Sequence, residues 1–234
     1  MISIIQQFGV AYLAWDGYRI SGLAMTLWLL VISCAIGFCL ALPLAIARNS
    51  KNPVLWFPVW LFTFLFRGTP LYVQLLLIYS GIYGLSFIHN TAPFNEFFRQ
   101  AINCTILAFS LNTGAYTTEI FAGAIKETSH GEVDAALAMG MSMPTMYRRI
   151  IIPSALRRAL PVYSNEVILM LHATTLAFTA TVPDILKVAN DAYSATYDPF
   201  NSFTLAAIIY LCVSFTLIFG FRRAERHFLA FLQP

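Results

Sequence analysis

Charge is what this chain has least of. Charged side chains make up 11% of its 234 residues, against roughly 25% in an ordinary soluble domain. Hydrophobic residues make up 59%, and the mean hydropathy is +0.70. A soluble core of this length cannot hide that much apolar surface. Cysteine is also sparse. Cys34, Cys39, Cys104 and Cys212 all lie inside apolar runs, without the spacing of a metal site, so they are read as packing residues. His89, His130, His172 and His227 are scattered along the chain, and no nucleophile or base clusters with them. No G-x-x-x-x-G-K-[ST] occurs, so the chain does not bind ATP by that motif. An enzyme is therefore not expected, and the formal charge of +3 does not argue for a nucleic-acid partner.

What the chain has in abundance is long apolar runs. Ile20 to Ala47 contains no charge at all, and about 20 apolar residues suffice to cross a bilayer. Four more segments follow: Val54–Leu85, Ala101–Ile125, Val162–Val182 and Phe203–Phe221. The first of these is interrupted by Arg67-Gly68-Thr69-Pro70. Val54 to Phe66 is too short to span alone, so one broken helix is preferred to two spans, with a re-entrant pair as the alternative. The expected fold is all-α: a polytopic transmembrane bundle of five spans in one domain, residues 1–234, with the second span broken at Arg67–Pro70. A cleaved secretory signal is not expected, because the basic leader is missing and the apolar run is too long. Residues 1–15 are read as an interfacial helix, with Trp15 and Tyr18 at headgroup level.

The basic residues orient the bundle. With the N-terminus outside, the cytoplasmic parts hold Arg48, Lys51, Lys126, Arg148, Arg149, Arg157, Arg158, Arg222, Arg223 and Arg226, ten of the fourteen Lys and Arg. The opposite orientation would place these ten outside, against the positive-inside rule. N-out and C-in is therefore expected, in a multi-pass membrane protein. The loops "SFIHNTAPFNEFFRQ" and "PDILKVANDAYSATYDPFNS" are read as short external connections. Glu225, among Arg222, Arg223 and Arg226, is read as part of a solvated helix end.

The largest cytoplasmic loop, residues 126–161, has a different character. Glu132 to Ala138 is strong helix sequence, Gly140 breaks it, and Met143-Pro144 begins a second piece. Pro153 precedes a third run, whose Arg157 and Arg158 are read as facing the interface. Its two readings are a solvated connector and a bracket of small residues for docking another surface. Asp134-Ala135-Ala136, Gly140, and then Ile150, Ile152 and Pro153 repeat the spacing of a known signature: E-A-A, three residues, Gly, nine residues, I-x-L-P. In this the chain resembles the binding-protein-dependent ABC importer permeases, with Asp134 and Ile152 as mild departures. "FRGTPLYVQ", "LNTGAYTTEIFAGAI" and "YSNEVILMLHATTLAFTAT" are similar to the polar amino-acid uptake branch, most of all to its M-type subunits for histidine and basic amino acids.

The resemblance implies that Glu132, Asp134, Ala135, Ala136, Gly140, Met143, Ile150 and Pro153 couple to a cytoplasmic ATPase. It further implies an ATPase dimer that carries the ATP and magnesium, a second homologous permease subunit, and an extracytoplasmic amino-acid-binding protein. No cofactor is expected in this chain, and membrane lipid surrounds it. Independently of family, polar groups inside the membrane are candidates for function. Arg67 and Thr69 lie at the helix break, Asn112, Tyr116 and Glu119 form a stripe at i, i+4 and i+7, and Asn165, Glu166 and His172 lie along the fourth span. The alternative reading of such groups is bonding between helices. For an amino-acid substrate, the Arg67 fork suits a carboxylate, Pro70 leaves backbone donors open, and Glu166 and Glu119 suit cations. The expected function is translocation of polar, above all basic, L-amino acids (histidine, arginine, lysine, ornithine). The alternative is a homodimeric permease for another polar amino acid or an opine.

Overall fold

The computed structural model describes residues 1–229; the C-terminal end, expected in the cytoplasm, lies outside them. Among the described residues the regular structure is helical, apart from two isolated bridge contacts. Helix α1 (Ile2–Leu13) buries Ile4 and Tyr12, and the Tyr12 hydroxyl donates to the Ser202 carbonyl at 2.9 Å. Trp15 and Tyr18 are both exposed. Helix α2 (Gly22–Arg48) has 27 residues, which at 1.5 Å per residue reach about 40 Å.

Helix α3 (Pro53–Gly68) starts where its composition says it should. Pro53 stands at the first position, and the Asn52 side chain accepts from Val54 N. Thr69 is extended because Pro70 disfavours the helical region for the residue before it. The chain then resumes as α4 (Leu71–Leu76) and a π-helical turn, Leu77–Ile82. The two halves are bent by 104°. Two short helices follow, α5 (Ser86–Asn90) and α6 (Ala92–Phe98).

Helix α7 (Ala101–Lys126) is the centre of the molecule, packed against α2, α3 and α4. It meets α2 at a glycine. A Cβ on Gly37 would stand 2.5 Å from Thr113 Cγ2 and 3.1 Å from Gly114 N. No larger residue fits this crossing without moving α7, the close approach that small residues permit between membrane helices.

The segment expected in the cytoplasm begins with α8 (His130–Ala138), turns at Gly140 and resumes as α9 (Met143–Met146). A π turn, Tyr147–Ile151, then leads directly into α10 (Ile152–Ala173). Pro153 therefore begins no separate third piece: it stands in the first turn of α10, and the wider π register upstream accommodates the missing donor. Helix α10 gives way to a 3-10 stretch, Thr174–Ala180, and then come α11 (Ile185–Thr196) and α12 (Pro199–Phe228). The loop expected to be a plain external connection thus contains α11, which buries Ile185, Val188, Ala189 and Ala192. Asp184 caps it by accepting from Lys187 N at 2.9 Å, and burial pushes the Asp184 carboxyl up to about 7.

Two further expectations are corrected. Arg158 turns inward rather than to the interface, donating to Ser154 Oγ (2.7 Å), Thr128 Oγ1 (2.9 Å) and the Ala124 carbonyl (3.2 Å). This pins α10 to the end of α7. Glu225 is not simply solvated: it is partly buried and accepts from Ser164 Oγ at 3.1 Å.

Among the described residues, two helices are long and apolar enough to cross a membrane, α2 and α12, with a third span if α3 and the Leu71–Ile82 stretch form one bent crossing. Helices α7 and α10 are long enough but too polar for that measure. The reason is their position: side chains such as Asn112, Thr113 and Glu166 are buried among other helices rather than exposed to lipid.

Candidate functional site

The stripe on α7 points at the broken helix. Asn112 is buried, and its amide donates to the Phe66 carbonyl (3.2 Å) and to Gln74 Oε1 (3.1 Å). The Tyr116 hydroxyl donates to the Arg67 carbonyl at 3.4 Å, and the Arg67 guanidinium lies over the Tyr116 ring, 5.3 Å from its centroid, a cation–π contact. Glu119 Oε1 accepts from Thr63 Oγ1 at 2.7 Å and from Arg48 Nε at 2.9 Å. The three residues thus form the α3–α7 seam. Arg67, Thr63, Trp60, Arg48 and Glu119 line an open cleft of about 300 Å³.

Sequence reading missed Gln74. Its amide nitrogen stands 2.7 Å from the Phe66 carbonyl, 3.0 Å from the Thr69 carbonyl and 2.7 Å from Thr69 Oγ1. Carbonyls freed by the break would otherwise be unsatisfied in an apolar environment. Thr69 is held in turn by donating to the Leu65 carbonyl at 2.8 Å. The signal was present: an amide four residues after Pro70, in an otherwise apolar run.

Glu166 is buried in α10 beside Thr113, with the Arg67 charge acting on it. No ion pair joins the two among the described residues, where the ion pairs are Arg19–Asp16, Arg48–Glu119 and Lys187–Asp191. A direct Arg67–Glu166 bridge is therefore not formed. Asn165 is exposed next to Glu166. His172 stands apart from the cleft, its Nε2 3.4 Å from Ser214 Oγ on α12.

The ATPase-coupling candidates divide into a platform and a face. Ala136, Met146 and Ile151 are buried in a small cluster of their own, with Ile150 packed against it, and Pro153 is half-buried beneath. Glu132, Asp134, Ala135, Gly140 and Met143 are exposed. So are Leu137 and Met139, which flank the turn. Gly140 has φ of +72 and open space where a Cβ would stand; its backbone conformation, not crowding, calls for glycine. The result is a bracket whose outer surface combines the acids Glu132 and Asp134, small residues, and the apolar Leu137, Met139 and Met143.

Residues 35–228 match the family model described as binding-protein-dependent transport system inner membrane component. Among curated relatives, the histidine/lysine/arginine/ornithine transport system permease protein HisM of Escherichia coli strain K12 is 59% identical over 234 residues, covering 100% of this chain and 98% of the relative. The nopaline transport system permease protein NocM of Agrobacterium fabrum is 41% identical over 192 residues, covering 82% and 80%. A crystal structure of an amino acid ABC transporter with histidines superimposes with a TM-score of 0.82 at 29% identity, over 97% of each chain. The chain belongs to the inner-membrane permeases of binding-protein-dependent ABC importers.

Proposed function

We propose that this chain is one half of a heterodimeric pathway that carries basic L-amino acids (histidine, arginine, lysine and ornithine) into the bacterial cytoplasm. The observation that carries the substrate class is the full-length 59% identity to a permease named for those four amino acids, against 41% to the nopaline permease. The chain makes five passes, N-terminus outside. The bent α3–α4 pair is one of them, and α7 and α10 cross with their polar residues turned inward. Residues 129–153 face the ATPase, with Leu137, Met139 and Met143 around Gly140 as the contact. Closure of the ATPase dimer moves this bracket and switches the pathway between its two faces. An extracytoplasmic binding protein delivers the amino acid to the other side.

In the pathway, Arg67 is the group for the substrate carboxylate, supported by the backbone opened at Thr69–Pro70. Glu166 is the acid for a substrate cation: it is buried, carries no ion-pair partner among the described residues and stands within reach of the Arg67 field. Tyr116 holds Arg67 over the cleft.

Reconstitution with the ATPase, the second permease and the binding protein tests this reading. Histidine and arginine uptake is expected to require ATP and binding protein. Flux without ATP would instead identify a channel. A single cysteine at Asn90 is expected to react with an impermeant thiol reagent in intact cells, and one at Ser129 only after lysis. Labelling of position 129 from outside would overturn the topology.

A further inference from the structure

A crevice of about 260 Å³ opens between α2, α7, α10 and the end of α12. Its wall is aromatic and aliphatic. Phe38, Phe121 and Tyr163 meet one another at centroid distances of 5.2–5.8 Å, and Leu160 and Phe228 complete the lining. The one charged residue in the wall is Arg157. Its neighbour Arg158 is spent on holding α10 to α7. Arg157 is exposed and, among the described residues, makes no hydrogen bond or ion pair. The last turns of α12, which end in Phe228, add Arg222, Arg223 and Arg226, all exposed.

From this juxtaposition we infer a site for an anionic phospholipid of the cytoplasmic leaflet, its acyl chain in the crevice and its phosphate on Arg157. The charge complementarity selects the occupant. An arginine at the mouth of an apolar cleft between membrane helices, with three more exposed on the last turns of α12, matches an anionic headgroup with attached chains, and Arg presents the fork that a phosphate accepts. A zwitterionic lipid would fill the crevice equally well but leave the cations without a matching net charge. The inference rests on the proposed orientation, which places this end of α10 and α12 at the cytoplasmic surface. Bound there, the lipid would touch α2, α7, α10 and α12 together, and so bear on the helices that carry the cleft.

The test uses the intact transporter complex, titrated with phosphatidylglycerol or phosphatidylcholine and examined by native mass spectrometry. Phosphatidylglycerol is expected to be retained in preference. Arg157→Gln is expected to reduce that retention roughly fivefold, the scale of one surface cation; Arg157→Lys is expected to keep most of it, and Leu160→Trp to lower it by filling the crevice. A photoreactive benzoylphenylalanine replacing Phe228, half-exposed at the rim, is expected to yield a lipid adduct. A crosslink to the ATPase or to the second permease would overturn the site, as would retention unchanged by both Arg157→Gln and Leu160→Trp. Histidine uptake by wild type in phosphatidylglycerol vesicles is measured in parallel. If uptake is absent while retention still responds to the variants, the transport reading fails and the lipid site stands.

Discussion

Two acids inside this bundle have opposite circumstances. Glu119, toward the C-terminal end of α7, accepts both a hydroxyl from α3 and a guanidinium from α2 on one oxygen. Glu166, in α10, is more deeply buried and has no ion-pair partner among the described residues. A charge of the first kind is committed: its desolvation is offset by fixed donors, and it holds three helices together. A charge of the second kind is costly to keep unless something supplies the missing cation. An intramembrane acid is therefore better judged by what already neutralises it than by its presence.

That contrast can be broken or sharpened by mutation. The largest effect is expected at Glu166→Gln, which keeps the shape and removes the charge. Losing one partner of a desolvated pair costs roughly 2–5 kcal/mol, about thirty-fold or more in affinity. Uptake in vesicles with saturating binding protein is expected to fall by that order while the complex still assembles. A variant that transports normally would remove Glu166 from the pathway.

Glu119→Gln is expected to act on stability instead. Uptake of histidine, lysine and arginine should fall by a common factor, and the thermal midpoint should drop. Arg48→Ala combined with Glu119→Gln should cost less than the sum of the two, because they remove the same bond. A selective loss for lysine or arginine in Glu119→Gln would instead show that this acid reads the substrate side chain.

Gly37→Ala sharpens the comparison from a third side, since Thr113 stands between Gly37 and Glu166. Overpacking of this kind costs about 1–3 kcal/mol, and a lower thermal midpoint with unchanged substrate preference is expected. The smallest effect belongs to Gly140→Ala. A Cβ there has open space, so only the left-handed backbone is penalised, at about 1–2 kcal/mol. Expression is expected to be near normal, with ATPase stimulation by binding protein modestly reduced. Complete loss of the folded protein would mean that Gly140 does more than make a turn.

Local features of this architecture were legible in the sequence, and long-range ones were not. The break at Arg67–Pro70 follows from proline chemistry, and α2 from an uncharged run. The helix, glycine turn and second helix of the cytoplasmic segment follow from propensity. The spacing of Asn112, Tyr116 and Glu119 put them on one face, but not opposite α3. Arg48 lies 71 positions from Glu119, and periodicity within one helix says nothing of what faces it. Helix α11 was detectable: Ile185, Val188, Ala189 and Ala192 recur at helical spacing, but the polar residues between them read as a connector. Pro153 misleads for a different reason, because a proline that usually marks a boundary is absorbed by a π turn. Gln74 illustrates a further limit: its role appears only when the carbonyls of a broken helix are traced to their donors.

The uninterrupted passage from the π turn into α10 has a mechanical consequence. From Ile151 to Glu166 is about 22 Å of helix at 1.5 Å per residue, with no loop between. Under the proposed coupling, helix α10 would act as a lever, with Pro161 inside its span. Its lower arm packs through Ile151 on Ala136 and Met146 of the bracket, and its upper arm carries the buried acid. The Ser164–Glu225 bond, reaching across to α12, sits close to Glu166 and would make a natural fulcrum. A push at the bracket would then reach the acid as a change of angle, and shortening or lengthening the arm by one residue would turn Glu166 by about 100°.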